Sequence, residues 1–93
     1  MSTVILKGYI EVPTEELNVV TNALVEHARL TEAEPGCLVF KVSKHSTISN
    51  RFDVYEEFED QKAFEHHQQR VLSSEWGQLT VNVRRFYDVV IRE

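Results

Sequence analysis

The segment from Glu34 to His67 constrains the fold most strongly, because a turn, two strands and a helix start follow one another within it. It opens with a Pro-Gly dipeptide, which is a strong turn signal, and continues into an apolar run that begins at Cys37. A polar loop then separates this run from a second alternating run that begins at Arg51. Two short strands joined by a polar loop favour a hairpin, and we expect a helix to follow it directly.

Alternation of apolar and polar residues predicts strands over residues 3–12, 37–43, 51–58 and 84–91. Helical spacing predicts one helix with Thr14 as its N-cap and a second helix with Asp60 as its N-cap. A short further helix is expected after Ser73 or Ser74. The order strand, helix, strand, strand, helix, strand predicts an α+β fold with a ferredoxin-like βαββαβ arrangement. In this fold both helices cover one face of an antiparallel sheet.

Length, charge and cysteine content exclude several classes of protein. The 93 residues are expected to form a single domain over residues 1–93. The net charge is -5 and no basic run is longer than Arg84-Arg85, so we expect no nucleic acid partner. No apolar run approaches the ~20 residues that span a bilayer, and no secretory signal is recognised. Because Cys37 is the only cysteine, no intrachain disulfide can form, and we expect a cytoplasmic protein without membrane association.

The sheet face away from the helices is predicted to be apolar in part. The first strand carries Ile5 and Tyr9 opposite its other apolar residues, and the last strand is apolar on both sides. An exposed face of that kind would be a large apolar patch. Packing sheet against sheet in a two-fold homodimer would cover it. The alternative is a monomer whose tyrosines and valines lie on a solvated sheet.

His67 is the leading candidate for chemistry. It shares one helix face with Ala63, Phe64 and Val71, so we expect its imidazole to point from the second helix towards the sheet. An imidazole there can act as a general base or acid, because its ordinary pKa is about 6.5 and burial lowers it. The alternative, which spacing alone favours, is a core histidine hydrogen-bonded to a backbone carbonyl.

Three more polar residues of the hairpin are candidates. Tyr55 and Glu56 are neighbours, so one should face the helices and the other the partner sheet. Tyr55 could orient a substrate oxygen or merely pack in an interface. Glu56 could hold the tautomer of a histidine, or it could pair with an arginine such as Arg84 or Arg85. Asn50 could donate to a substrate carbonyl at a pocket mouth, or it could be a plain turn residue.

Trp76 and the histidines complete the candidates. Trp76 could close a pocket from the short segment after the second helix, although a core anchor is the ordinary role for a tryptophan there. Metal binding is not predicted, because His66 and His67 diverge on a helix and no paired cysteines or His-x-x-x-His spacing occurs. No phosphate-binding loop, nucleophile elbow or dinucleotide fingerprint is found either.

Several motifs together resemble the antibiotic biosynthesis monooxygenase family: Glu34-Pro35-Gly36-Cys37, Arg51-Phe52, Tyr55-Glu56, Phe58, Asp60, Ala63 and His67. Their joint spacing carries the resemblance, which covers most of the domain. Two features depart from the family pattern. Phe58 stands where many relatives have tryptophan, and the second cavity histidine that many relatives carry after His67 is missing.

The resemblance implies a dimeric α+β barrel of ferredoxin-like subunits, each with an apolar cavity between its sheet and its helices. It also implies oxidation of a quinol or phenol by O2, with no metal or flavin cofactor. By position, His67 would be the base or the hydrogen-bond partner of the substrate anion, and Asn50 and Tyr55 would orient the oxygens. The predicted substrate-binding residues are Arg51, Phe58, Phe64 and Trp76.

Three other functions stay open. The first is an isomerase of small phosphorylated carbonyl compounds, like relatives that process autoinducer-2, with Arg51 as the phosphate anchor. The missing histidine counts against it. The second is haem degradation, which would require an asparagine that the first strand lacks. The third is a non-enzymatic dimer that binds small apolar ligands or another protein. The expected partner is therefore a small aromatic or carbonyl compound, together with O2 if the chain is an oxygenase.

Overall fold

The computed structural model describes residues 2–93 and arranges them as an antiparallel sheet with helices on one face. The elements in chain order are β1 (Thr3–Glu11), α1 (Leu17–Glu32), β2 (Cys37–Lys44), β3 (Arg51–Phe58), α2 (Gln61–Leu72), α3 (Glu75–Leu79) and β4 (Arg84–Arg92). The strand order across the sheet is β2-β3-β1-β4. This architecture confirms the predicted ferredoxin-like α+β fold. Within residues 2–93, no helix has the length and apolar character needed to cross a bilayer.

The core lies between the helices and the face of the sheet that they cover. On β1, Val4, Leu6 and Ile10 point to this face and are buried. The paired residues of β3 point the same way: Phe58 lies opposite Val4 and Phe52 opposite Ile10. Each such side chain stabilises the fold by roughly 1.5–3 kcal/mol when it is fully buried. Because strand residues alternate, this face of β3 consists of Phe52, Val54, Glu56 and Phe58, and so places a carboxylate in an otherwise apolar core.

Local capping explains where α2 and α3 begin. The Asp60 carboxylate accepts a hydrogen bond from the backbone N–H of Ala63 at 2.8 Å. The Ser74 hydroxyl accepts one from the N–H of Gly77 at 3.1 Å. Each bond satisfies a donor that the first helical turn would otherwise leave free, which confirms Asp60 and the second of the two predicted serines as caps.

The start of α1 differs from the prediction. Thr14–Glu16 form a single 3-10 turn, and α1 begins only at Leu17. The Glu16 N–H closes this turn on the carbonyl of Pro13 at 2.8 Å. No side chain caps the turn or the helix, so the prediction of Thr14 as the N-cap is wrong.

Gly36 allows the chain to reverse between α1 and β2. Its φ of 91° lies in the left-handed region that glycine adopts without steric cost. A Cβ on Gly36 would also lie 2.6 Å from the Cβ of Ala63, which is far too close. The absence of a side chain therefore lets the turn approach α2, and this approach brings Glu34 to the face of α2 that carries His67.

The edge strand β4 is exposed along its whole length. On the face away from the helices, Phe86 stacks on Tyr9 with ring centroids 4.8 Å apart, and Val90 lies further along the same face, opposite Ile5. On the helix side, Tyr87 and Val89 remain uncovered. Apolar side chains are thus accessible on both faces of this strand.

Candidate active site

Helix α2 holds His67 against the sheet, as its spacing predicted. Only 4% of the residue is exposed. Its Nδ1 lies 2.7 Å from Oε2 of Glu34, in the turn that follows α1. The ring of Phe58 on β3 packs against the imidazole with centroids 4.9 Å apart. His67 is therefore enclosed by α2, the turn before β2 and the sheet.

Glu34 fixes the orientation of the His67 ring. Its second oxygen, Oε1, accepts a hydrogen bond from Nε of Arg70 at 2.9 Å. Arg70 in turn donates through Nη2 to the hydroxyl of Thr31 on α1, also at 2.9 Å. A buried carboxylate needs partners of this kind, because the loss of its hydration is otherwise uncompensated. These hydrogen bonds join α1, α2 and the turn between α1 and β2 around one edge of the imidazole.

Glu56 faces the other edge of the same imidazole. Its Oε1 lies 3.6 Å from Nε2 of His67, and this oxygen is buried with no hydrogen-bond partner within residues 2–93. Burial raises the pKa of Glu56 to about 7, and the negative charge of Glu34 adds to this shift. Burial lowers the pKa of His67, although its hydrogen bond to Glu34 opposes that shift. The pKa values of the two facing groups are therefore shifted in opposite directions, that of Glu56 upwards and that of His67 downwards.

A second buried imidazole, that of His27 on α1, lies beside the first. Its ring centroid is 6.1 Å from that of His67, and the ring stacks on Trp76 at 4.5 Å with an interplanar angle of 9°. Burial lowers the pKa of His27 to about 3, and the positive charges of neighbouring groups such as Arg70 contribute. A cavity of about 50 Å³ adjoins His27, Trp76 and Arg70. This volume suits a few water molecules but not an aromatic substrate.

A larger groove lies between α2, α3 and the edge strand. Its volume is about 450 Å³, and its lining residues are Gln68, Val71, Leu72, Gly77, Thr80, Val81 and Arg85. Small-molecule sites commonly have volumes of roughly 300–1,000 Å³ and mostly apolar walls. His67 does not line the groove, but Val71 stands one turn further along the same face of α2.

The groove has one fixed cationic group. Arg85 donates through Nη1 to the carbonyl oxygens of Thr80 and Val83, each at 3.2 Å. Its Nη2 donates to the Thr80 hydroxyl at 2.7 Å. The guanidinium is thus held in place at the end of α3, where it provides a positive charge beside apolar walls.

We call the polar groups around His67 the His67 cluster; they are Glu34, Glu56, Arg70 and His27. Tyr55 and Arg51 do not join this cluster. Because odd-numbered residues of β3 point away from the helices, both side chains lie on the opposite face of the sheet. The Tyr55 hydroxyl donates to the Glu57 carboxylate. Arg51 pairs with Glu11 at 3.0 Å, and its guanidinium lies 3.9 Å from the centroid of the Tyr9 ring. Of the adjacent pair that was expected to face opposite sides, it is Glu56 that faces the helices.

Asn50, Phe58 and Phe64 occupy structural positions. The Asn50 side-chain amide donates to the carbonyl of Val12 at 3.1 Å and so joins the loop before β3 to the end of β1. Phe58 and Phe64 are buried and pack edge-on with centroids 5.6 Å apart. Of the predicted site residues, the structure brings His67, Phe58 and Phe64 together. The ring of His27 lies between Trp76 and this group.

Sequence reasoning missed Glu34, Arg70 and His27 as members of this cluster. Two of them carried a usable signal: Arg70 follows His67 by three residues on the same helix, and His27 continues the apolar stripe of α1. Glu34 carried none beyond its place in a motif, because its partners lie 33 and 36 residues away in the chain. Within residues 2–93, no group of three His, Cys, Asp or Glu side chains is arranged to hold a metal ion.

Comparison with known proteins decides the family. The profile of the antibiotic biosynthesis monooxygenase family matches residues 3–78. The chain belongs to this family. The resemblance predicted from the spaced motifs is thereby confirmed, and the matched region includes Glu34, Glu56 and His67. No curated protein matches the sequence.

Several solved structures share the fold of this chain. One is a protein from Nitrosomonas europaea provisionally named as an antibiotic biosynthesis monooxygenase. It is 20% identical, with 97% of this chain and 86% of that chain covered and a TM-score of 0.78. Another, from Deinococcus radiodurans and named in the same provisional way, is 21% identical, with 100% and 91% covered and a TM-score of 0.68. MupZ from Pseudomonas fluorescens is 19% identical, with 95% and 69% covered and a TM-score of 0.73. At these identities the likeness establishes the fold alone.

Proposed function

We propose that this family member is a cofactor-independent monooxygenase that oxidises a quinol or a related phenol with O2. The observation that carries the proposal is the buried imidazole of His67. It is oriented by Glu34 on one edge and faces Glu56 on the other. A base held in this way, on the same face of α2 as Val71 of the groove wall, suits the removal of a proton from a weakly acidic phenol.

The proposed chemistry needs no bound electron carrier. Loss of the hydroxyl proton to His67 gives an electron-rich anion, which passes one electron to O2. The resulting radical pair combines at a ring carbon to give a hydroperoxide. Loss of water from that hydroperoxide leaves a new carbonyl, so one oxygen atom enters the product and the other leaves as water. The protein contributes a water-poor site, substrate orientation and charges that stabilise the anion.

In this proposal the groove beside α2 holds the aromatic ring, and the fixed Arg85 guanidinium favours the anion electrostatically. Phe58 packs against the His67 imidazole, and Phe64 packs against Phe58. Trp76 stacks on the neighbouring ring of His27. Tyr55, Asn50 and Arg51 receive no part in the chemistry, because their side chains are engaged away from this cluster. Arg51 in particular is paired with Glu11, whose carboxylate neutralises the charge that the isomerase alternative would assign to binding a phosphate.

Oxygen uptake by metal-free protein tests the proposal. With a panel of reduced naphthoquinols and benzenediols, we expect uptake above the uncatalysed rate. His67→Asn retains an amide that can bond Glu34, but it has no titratable base. We expect this variant to lose about 100-fold or more of kcat/KM, since general acid–base catalysis contributes roughly 10²–10⁴-fold.

The matched control for this test is Tyr55→Phe, which lies on the opposite face of the same sheet and should retain wild-type turnover. Equal activity of the wild type and His67→Asn would remove His67 from the mechanism. Absence of uptake across the whole panel would contradict the oxygenase proposal and leave ligand binding without turnover as the better account.

We also propose that two copies pack through the sheet faces away from the helices. Phe86, which stacks on Tyr9, and Val90, which lies opposite Ile5, expose apolar surface on that face. A two-fold interface uses each residue twice, so one substitution introduces two charges. We expect the wild type to sediment as a dimer and Val90→Asp to sediment as a monomer.

Val89→Asp is the control for the dimer, because Val89 is the neighbouring residue of similar exposure on the helix side of β4. It should remain dimeric. A wild-type monomer, or dissociation by Val89→Asp but not by Val90→Asp, would contradict this interface.

A further inference from the structure

The contacts of His67 indicate how many protons its ring and the two facing carboxyl groups share. The contact of 2.7 Å between Nδ1 and Glu34 is a hydrogen bond, so one proton lies in it. The opposite ring nitrogen, Nε2, faces Oε1 of Glu56 at 3.6 Å. If the imidazole is neutral and its only proton is on Nδ1, then Nε2 and the Glu56 carboxylate are both acceptors. Two lone pairs would then face each other in the core.

We propose that His67 and Glu56 hold one additional proton between Nε2 and Oε1 at neutral pH, which makes Glu56 the proton-exchanging partner of His67. The proton has two limiting positions. Either a protonated Glu56 donates to Nε2, or an imidazolium donates to the Glu56 carboxylate. In both cases Glu34, His67 and Glu56 carry two protons between them, which is one more than a neutral imidazole supplies.

Burial makes the unprotonated alternative costly. His67 is 4% exposed and Glu56 is 6% exposed. Oε1 of Glu56 has no other hydrogen-bond partner within residues 2–93. Leaving a buried carboxylate oxygen without a donor typically costs more free energy than a change of protonation state does. A shared proton supplies the missing donor and draws the two atoms into hydrogen-bond range.

Charged and titratable groups approach the pair from several elements. The negative charge of Glu34 favours the additional proton, whereas positive charge on Arg70 and on His66 opposes protonation of His67. The other titratable groups nearby are His27 on α1, Cys37 on β2 and Tyr87 on β4. Burial raises the pKa of the Cys37 thiol and of Tyr87 and lowers that of His27, so these three stay neutral. The raised pKa of Glu56 agrees with uptake of a proton.

The shared proton has a consequence for turnover, and this part rests on the proposed oxygenase function. The pair can accept the substrate proton only after it has released its own. We therefore expect kcat/KM to increase with pH through the neutral range and to level off when the shared proton is lost. Glu56 acts here through His67 and is a positioning residue and a proton partner.

Nuclear magnetic resonance tests the proton directly, without any substrate. In protein with ¹⁵N-labelled histidine and ¹³C-labelled glutamate, we expect the Glu56 carboxyl carbon to titrate near pH 7 and the His67 ring nitrogens to respond in the same titration step. In Glu56→Gln the amide can donate permanently to Nε2, so His67 should stay neutral with its proton on Nδ1 throughout. Glu57→Gln, its neighbour on the outer face, should titrate like the wild type.

A Glu56 carboxyl that titrates near pH 4.5 while His67 does not respond would overturn the inference. This result needs only the wild type, so it stands even if Glu56→Gln fails to fold. The titration tests the shared proton and the oxygen uptake tests the oxygenase proposal, so either claim can fail while the other holds. Joint titration without oxygen uptake would contradict the oxygenase proposal and leave the shared proton established. Uptake without joint titration would contradict the shared proton alone.

Discussion

Replacing Glu34 by alanine is expected to reduce the free energy of unfolding by about 3 kcal/mol, since removing one partner of a buried ion pair typically costs roughly 3–5 kcal/mol. The truncation removes the acceptor of the buried His67 Nδ1–H and that of the Arg70 Nε–H. We expect the lower end of the range, because 23% of the Arg70 side chain is exposed and water can reach part of it. A domain of this size has an unfolding free energy of roughly 5–10 kcal/mol, so the loss is a large fraction of it.

Urea unfolding at pH 7 measures this effect, and Glu32→Ala is its matched control. Glu32 is exposed at the end of α1, two residues before Glu34, so its loss should change stability by no more than about 0.5 kcal/mol. Similar losses in the two variants would show that the Glu34 network does not stabilise the fold as its geometry indicates.

His27 is expected to make the protein sensitive to acid. In the folded state its pKa is about 3, whereas the unfolded chain takes up the proton near pH 6.5. Below pH 6.5 the unfolded state therefore binds more protons, and the stability present above that pH is lost as the pH falls towards 3. At about 1.4 kcal/mol per pH unit, the loss between pH 6.5 and pH 4 is on the order of 3 kcal/mol.

His27→Phe should remove this acid sensitivity. The phenyl ring can keep the stacking on Trp76, and the His27 Nδ1 has no hydrogen-bond partner to lose within residues 2–93. Unfolding free energies at pH 7 and pH 4 should then differ by about 3 kcal/mol less in the variant than in the wild type. His66→Gln, which removes an exposed histidine, should respond to pH as the wild type does. An unchanged pH dependence in His27→Phe would contradict the neutral buried imidazole.

The elements that sequence predicted best are those fixed by local rules. The alternation of β3 and the caps at Asp60 and Ser74 depend on residues within one or two turns of each other, so they can be recognised without the fold. Thr14 failed as a cap because the chain makes a 3-10 turn at that point before the α-helix begins. That competition is decided by packing and hydrogen bonds, which an N-cap preference does not include.

The site was predictable only on the α2 side. Helical spacing placed His67 on the buried face, and strand alternation placed Tyr55 and Glu56 on opposite faces. The run Phe52, Val54, Glu56, Phe58 already contained the signal for which of the two faces the helices. The network around Glu34 could not be derived, because it joins residues that only the ferredoxin-like topology brings together. The catalytic role of His67 stays a prediction until turnover is measured.

The fate of the two oxygen atoms tests the account most directly. Metal-free protein would be supplied with ¹⁸O2 and any quinol that supports uptake, and the product would be analysed by mass spectrometry. Monooxygenation at this site predicts one ¹⁸O atom in the product ring and the other in water, with kcat/KM falling about 100-fold or more in His67→Asn. A product without ¹⁸O, formed together with hydrogen peroxide, would contradict monooxygenation, and a wild-type rate in His67→Asn would contradict the site.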